Sequence, residues 1–114
     1  MRFQLAITFD GMKMYGSIYD FGTGLAGMVE EYVVDDTNDW FLEHMIDKIN
    51  ATCDTLLDNG DFDYIDAEKC KELIKMINDF PNGFVPKEFE KVIDILLDYA
   101  HRAIEYNTGI EIEM

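Results

Sequence analysis

Phe41-Leu42-Glu43-His44-Met45-Ile46-Asp47-Lys48-Ile49-Asn50-Ala51-Thr52-Cys53-Asp54-Thr55-Leu56-Leu57-Asp58-Asn59-Gly60 is the stretch on which the fold turns. Its apolar residues, Phe41, Leu42, Met45, Ile46, Ile49, Cys53, Leu56 and Leu57, recur at the three-and-four spacing of one helix face. Asp35-Asp36-Thr37-Asn38 ahead of them are residue types that cap helix N-termini, and Asn59-Gly60 is a helix stop. The spacing predicts one long helix that runs up to Asn59-Gly60.

The flanks are of mixed type. Arg2 to Thr8 alternates as a strand does, Asp10-Gly11 is a hairpin dipeptide, and Met12 to Tyr19 resumes a strand-like run. An antiparallel β-hairpin is therefore expected to open the protein. After the glycine-rich Phe21 to Gly27, the run Met28 to Val34 has Val29, Tyr32 and Val33 at helical spacing but Tyr32-Val33-Val34 of strand composition, and is read as a third strand that makes a meander. Downstream, Asp66 is a candidate N-cap for a second helix carried by Cys70, Leu73, Ile74 and Ile77 and ended before Pro81-Asn82-Gly83. A third helix follows Pro86 on Phe89, Val92, Ile93, Leu96, Ala100 and Ala103, and stops at Asn107-Thr108-Gly109. Ile110 to Met114 alternates and is expected to return as a strand beside the hairpin. The prediction is a single α+β domain over residues 1–114, with three helices and no linker or repeat.

The 114 residues include 48% hydrophobic ones, with eight Phe and six Tyr, which supply enough apolar surface for one core despite a net charge of −15. That charge disfavours direct contact with nucleic acid or an anionic membrane and favours a basic protein or a cation. It is also unevenly spread. Residues 35–66 hold ten carboxylates and one lysine, a net −9, against −2 for residues 1–34 and −4 for residues 67–114. On a helix advancing ~100° per residue, Glu43, Asp54, Asp47 and Asp58 fall within a sector of about 60°, in a row roughly 22 Å long, with Lys48 well outside it. Glu43/Asp47 and Asp54/Asp58 are like-charged i,i+4 pairs, each costing about 0.2–0.5 kcal/mol, whereas Glu88/Lys91 and Asp98/Arg102 in the third helix mix signs. Trp40 lies on the acidic side of that wheel, as an interface anchor would, or as a first-turn residue folded back onto the hairpin.

Several motifs invite a more specific chemistry. Gly22-Thr23-Gly24-Leu25-Ala26-Gly27 spells G-x-G-x-x-G, but no βαβ unit or kinase lysine accompanies it, and it is read as a connector. Asp58 to Glu68 resembles a calcium loop, yet in that register the required glycine is Asp63 and the bidentate glutamate is Lys69, leaving Asp61, Asp63 and Asp66 as candidate ligands for a hard cation. His44 and His101 lack metal-ligand spacing. Cys53 and Cys70 sit at apolar helical positions and are expected as free buried thiols. Met1 to Asp10 has no signal-peptide pattern, so a cytoplasmic protein is expected, for which the sequon Asn50-Ala51-Thr52 has no meaning. No nucleophile, acid/base pair or cofactor motif is present, and no enzyme activity or cofactor is expected.

In size and acidity the chain resembles phage anti-restriction and anti-CRISPR inhibitors, in those general properties only. The expectation is a small acidic protein that occupies the cationic, nucleic-acid-binding surface of a basic partner, with Asp36, Asp39, Trp40, Glu43, Asp47, Asp54, Asp58, Asp61 and Asp63 as contact residues. Two alternatives are an immunity protein or antitoxin against a basic nuclease, and a calcium- or metal-binding module using the 58–68 loop.

Overall fold

The computed structural model describes residues 1–34 and 39–114. Among these residues six strands and four helices follow one another as β1 (Arg2–Ala6), β2 (Lys13–Tyr15), β3 (Ile18–Asp20), β4 (Val29–Val33), α1 (Asp39–His44), α2 (Ile46–Cys53), β5 (Phe62–Asp66), α3 (Ala67–Asn78), α4 (Glu90–Tyr106) and β6 (Gly109–Glu113). Short 3-10 turns at Phe21–Thr23 and Lys87–Phe89 complete the set. The fold is α+β: a four-stranded antiparallel sheet of order β4-β1-β6-β5, a separate two-stranded hairpin β2-β3, and the helices.

Alternation sorts the sheet into two faces. Phe3 and Leu5 of β1, Ile65 of β5, and Ile110 and Ile112 of β6 are fully buried. They share one core with Phe41 and Met45, with Ile49 and Cys53 of α2, with Cys70, Leu73 and Ile77 of α3, and with Val92, Ile93, Leu96, Ala100 and Ala103 of α4. The helices thus cover that face. On the opposite face, Tyr64 of β5 meets Phe9 and Phe21, at ring-centroid distances of 6.2 and 5.9 Å, and Phe9 stacks on Tyr19 of the hairpin at 3.9 Å. The hairpin is therefore a flap on the outer side of the sheet.

The helix boundaries follow local chemistry. Asp66 ends β5 and caps α3, its Oδ1 accepting the Lys69 N–H at 2.8 Å. Asn107 adopts the left-handed conformation (φ 54°) that closes α4, while the Thr108 N–H donates to the Ala103 carbonyl at 2.9 Å. Thr108 is buried, and its hydroxyl donates to the Ala6 carbonyl at 2.5 Å, so the α4–β6 corner is pinned to the end of β1. Gly109 opens β6 opposite Asp66 because a Cβ there would run into the Tyr64 ring and lie 2.7 Å from the Ile65 carbonyl. Arg102 of α4 reaches across to Glu30 of β4 with two hydrogen bonds, at 2.7 and 2.5 Å. That pairing holds the Glu30 carboxyl below the usual carboxylate range.

Residues 28–34 contain a strand, as expected, and β6 joins the sheet, but as an interior strand between β1 and β5. Three boundaries differ from expectation. The chain does turn at Asp10-Gly11, where the Met12 N–H donates to the Phe9 carbonyl at 3.0 Å, but β1 does not pair with the run that follows. Instead β1 lies between β4 and β6, and the hairpin turns at Gly16-Ser17. Period-two alternation marks a strand without choosing its partner, and the bulky, fully buried Phe3 and Leu5 belong at the centre of the sheet, where the mostly exposed Lys13–Tyr15 would not cover them.

The long helix is also divided. It is interrupted at Met45 (φ −105°, ψ −38°), although the Met45 N–H still donates to Phe41 and the Ile49 N–H to Met45. It then ends at Cys53, because Asp54 takes the left-handed conformation (φ 58°, ψ 39°) that aspartate tolerates better than most residues. Finally, the acidic loop contains β5. Its alternation is written in aspartates and aromatics, residues of opposite β preference, so composition concealed the strand. The capping cluster Asp35-Asp36-Thr37-Asn38 lies outside the described residues.

Candidate partner-binding surface

The segment beyond α2 is held by two polar side chains. Asn50 of α2 accepts the Leu57 N–H at 2.9 Å and the Thr55 hydroxyl at 2.7 Å through its carbonyl oxygen, and donates its amide to the Leu57 carbonyl at 2.9 Å. Asp63 of β5 accepts the Leu56 N–H at 2.8 Å through one carboxylate oxygen and the Tyr64 N–H at 2.7 Å through the other. Backbone groups that a continuing helix would have paired are thus satisfied by side chains, and the chain from Asp54 to Asp61 is a fixed turn. Leu57 and Thr55 are drawn into the interior while Leu56 is left 85% exposed.

This geometry redistributes the expected stripe. Glu43 at the end of α1 and Asp47 in the first turn of α2 remain one helical turn apart and exposed. Asp54 is the C-cap, and Asp58 belongs to the turn in which the Asp61 N–H donates to the Asp58 carbonyl at 3.0 Å. The straight row of four carboxylates is therefore not formed. In its place stand a helical pair and an acidic turn, Asp54, Asp58 and Asp61, on the same stretch of chain as the exposed Leu56. Among the described residues, Asp39, Asp47, Asp54, Asp58 and Asp61 make no ion pair, and Glu43 meets only His44, at 3.7 Å. Asp36 lies outside the described residues.

Trp40 is half-buried and does not fold onto the hairpin. Its ring lies against Phe89 at 5.1 Å, Phe84 at 5.7 Å and His44 at 5.9 Å, and Lys48 sits 5.4 Å from the Phe84 ring centre. This cluster fastens α1 to the loop between α3 and α4.

Asp61, Asp63 and Asp66 do not converge. Asp63 and Asp66 point to opposite faces of β5, Asp63 and Asp66 are both occupied by backbone N–H groups, and no cluster of three potential metal ligands occurs among the described residues. The Gly22–Gly27 loop is ordered by its own bonds: the Asp20 carboxylate accepts the Gly22 N–H at 3.0 Å, and Thr23 accepts the Lys13 N–H at 2.8 Å and donates to the Asp20 carbonyl at 2.7 Å. The Gly24 and Met28 N–H groups donate to Phe21 and Leu25, so these donors are not turned towards a phosphate. Cys53 and Cys70 are free and buried, and burial pushes their thiols to about 11 and about 12. They are held in the protonated, poorly nucleophilic form.

Sequence reasoning missed Leu56, which it assigned to the buried helix face. The signal that would have found it is the pair Asn50 and Asp54: a side chain able to clasp backbone, followed one turn later by a residue that tolerates positive φ.

No protein-family model, curated protein or solved structure matches the chain. Among the described residues no helix is long and apolar enough to cross a membrane.

Proposed function

We propose that this α+β protein is a binding protein, not an enzyme, and that it captures a basic protein through the acidic turn Asp54, Asp58 and Asp61 together with Asp47 of α2. The observation that carries this reading is the concentration of a net −9 within residues 35–66, on a segment whose described carboxylates at 47, 54, 58 and 61 are exposed and without ion pairs. Carboxylates left free of internal cations retain their charge for a partner and accelerate its arrival. The turn is fixed by Asn50 and Asp63, so little ordering cost is added on binding, and the exposed Leu56 on the same segment offers an apolar contact.

A cationic nucleic-acid-binding groove is the partner surface that such a patch suits, and occupying it would inhibit its owner. This inhibitor reading rests on patch charge and not on phosphate-like spacing, since the row of carboxylates is interrupted at Asp54. The test is affinity capture with the parent and with a D47N/D54N/D58N/D61N variant at about 0.05 and 0.5 M salt, where Debye screening differs several-fold. Basic proteins retained by the parent, released by salt and lost with the variant are the expected outcome. Equal capture by the two proteins would remove the acidic turn from the interface.

A further inference from the structure

Between the β2-β3 flap and the outer face of the sheet lies a crevice of about 310 Å3, lined by Tyr15, Ile18, Tyr19, Asp20, Phe62 and Glu111. Its walls are aromatic and well supported, since Tyr19 stacks on Phe9 with an angle of 6° between the rings, and Phe9 is braced by Phe21 and Tyr64. Glu111 enters from β6, an interior strand, where its neighbours across the sheet are Gln4 and Tyr64. Among the described residues its carboxylate accepts no hydrogen bond. The nearby Arg2 guanidinium donates through Nη1 to Glu31 at 3.1 Å and through Nη2 to Glu113 at 2.5 Å, while its buried Nε has no partner among the described residues. Burial holds the Glu111 carboxyl above the ordinary carboxylate range, with Arg2 opposing the shift and Glu113 and Asp20 adding to it. A partly buried carboxylate set among aromatic rings, without a hydrogen bond or ion pair of its own among the described residues, is incomplete on its own.

We propose that this crevice receives one cationic side chain, lysine or arginine, from a basic partner protein, with the charged end paired to Glu111 and the stem lying along Tyr15, Tyr19 and Phe62. Charge complementarity selects this occupant: aromatic faces attract ammonium and guanidinium groups, long basic side chains bury their methylenes on apolar surface, and a partly desolvated carboxylate binds a cation more strongly than an exposed one does. The crevice opens to the surface, as Tyr15 is 76% exposed, and Phe62 in its lining directly follows Asp61 of the acidic turn in the chain. The inference rests on the reading that the partner is basic, to which it adds a contact selective for a side-chain type.

The test uses the 15N-labelled full chain titrated with Nα-acetyl-lysine methylamide, Nα-acetyl-arginine methylamide, the neutral Nα-acetyl-norleucine methylamide, and tetramethylammonium chloride. Saturable shifts centred on Tyr15, Tyr19, Phe62 and Glu111 are expected with a basic amino-acid probe and not with norleucine. Glu111→Gln should weaken that binding by about tenfold and Tyr15→Ala by about threefold, the latter at an exposed position where folding is not at stake. Equal shifts from norleucine, shifts confined to residues 54–61, or unchanged binding by both variants would overturn the proposal, and tighter binding of tetramethylammonium than of either basic probe would overturn the side-chain assignment. These probes require no partner, and the four-aspartate variant leaves Glu111 and Tyr15 intact, so failure of the crevice and failure of the acidic turn are read separately.

Discussion

Asn50 decides more about the surface than any of the carboxylates does. One amide presents an acceptor and a donor to Leu57, as a neighbouring strand would, and takes the Thr55 hydroxyl as well. Thr55 and Leu57 are buried, so removing that amide strands polar groups where water does not readily replace it. Asn50→Ala should therefore cost about 2–3 kcal/mol, more than an ordinary surface substitution, because several buried groups lose their partner together. Urea unfolding measures the loss, and faster hydrogen exchange at the Leu57 amide places it in the turn. A variant as stable as the parent would mean that Leu57 burial and the Asp63 bond to Leu56 hold the turn without Asn50. None of this was visible in the periodicity of residues 41–57, because an asparagine on a helix reads the same whether its side chain faces water or clasps the next segment.

At the level of elements, the bond between β4 and α4 is one whose strength depends on pH. Glu30 has its pKa lowered by the paired Arg102 guanidinium, so the folded state binds its proton less readily than the unfolded chain does. The stabilisation is therefore complete above the ordinary carboxylate range near 4.3 and is lost as pH falls through the lower folded value. Glu30 is 41% exposed on its side chain, which limits the contribution through solvent screening. Glu30→Gln should cost about 1 kcal/mol at pH 7, and the difference from the parent should close as the pH approaches about 3. Denaturant titrations at pH 7, 5 and 3 follow this, and a difference constant across the series would show that packing, not the ion pair, joins the two elements. The sequence displayed Asp98/Arg102 as a helix pair, and that bond exists at 3.4 Å, but the shorter bonds go to Glu30, seventy-two residues away. The same limit separates the elements that were legible from those that were not. The α3 and α4 helices are written in local terms, with periodic apolar residues, Asp66 at one start and Asn107 at one stop. The partners of β1 and the existence of β5 depend on residues far away in the chain.

For the whole molecule, acidity works against the fold and for the proposed binding, and salt should separate the two. A net charge of −15 is confined to a body with a radius of gyration of 13.5 Å, and among the described residues few cations are engaged in ion pairs, chiefly Arg2, Arg102 and Lys71. Partly exposed pairs of that kind contribute about 0–1 kcal/mol each, while repulsion among the remaining carboxylates acts on every part of the surface and is felt most in the compact state. The site itself was legible from sequence as a charge concentration but not as a shape: counting placed the net −9 in residues 35–66, whereas the helix wheel set Asp54 and Asp58 on a helix that ends at Cys53. Raising salt from about 0.02 to 0.5 M shortens the screening length several-fold and should raise the midpoint of thermal unfolding, by about 4–8 °C for each kcal/mol of repulsion relieved. D47N/D54N/D58N/D61N should start from a higher midpoint than the parent and gain less from salt, since part of the repulsion has already been removed. A midpoint that falls with salt would instead make ion pairs the dominant electrostatic contribution to stability. The rising midpoint also gives the capture experiment its meaning: a partner released at high salt is released from a protein that is more firmly folded there, so the loss belongs to the screened contact between acidic turn and basic surface and not to unfolding.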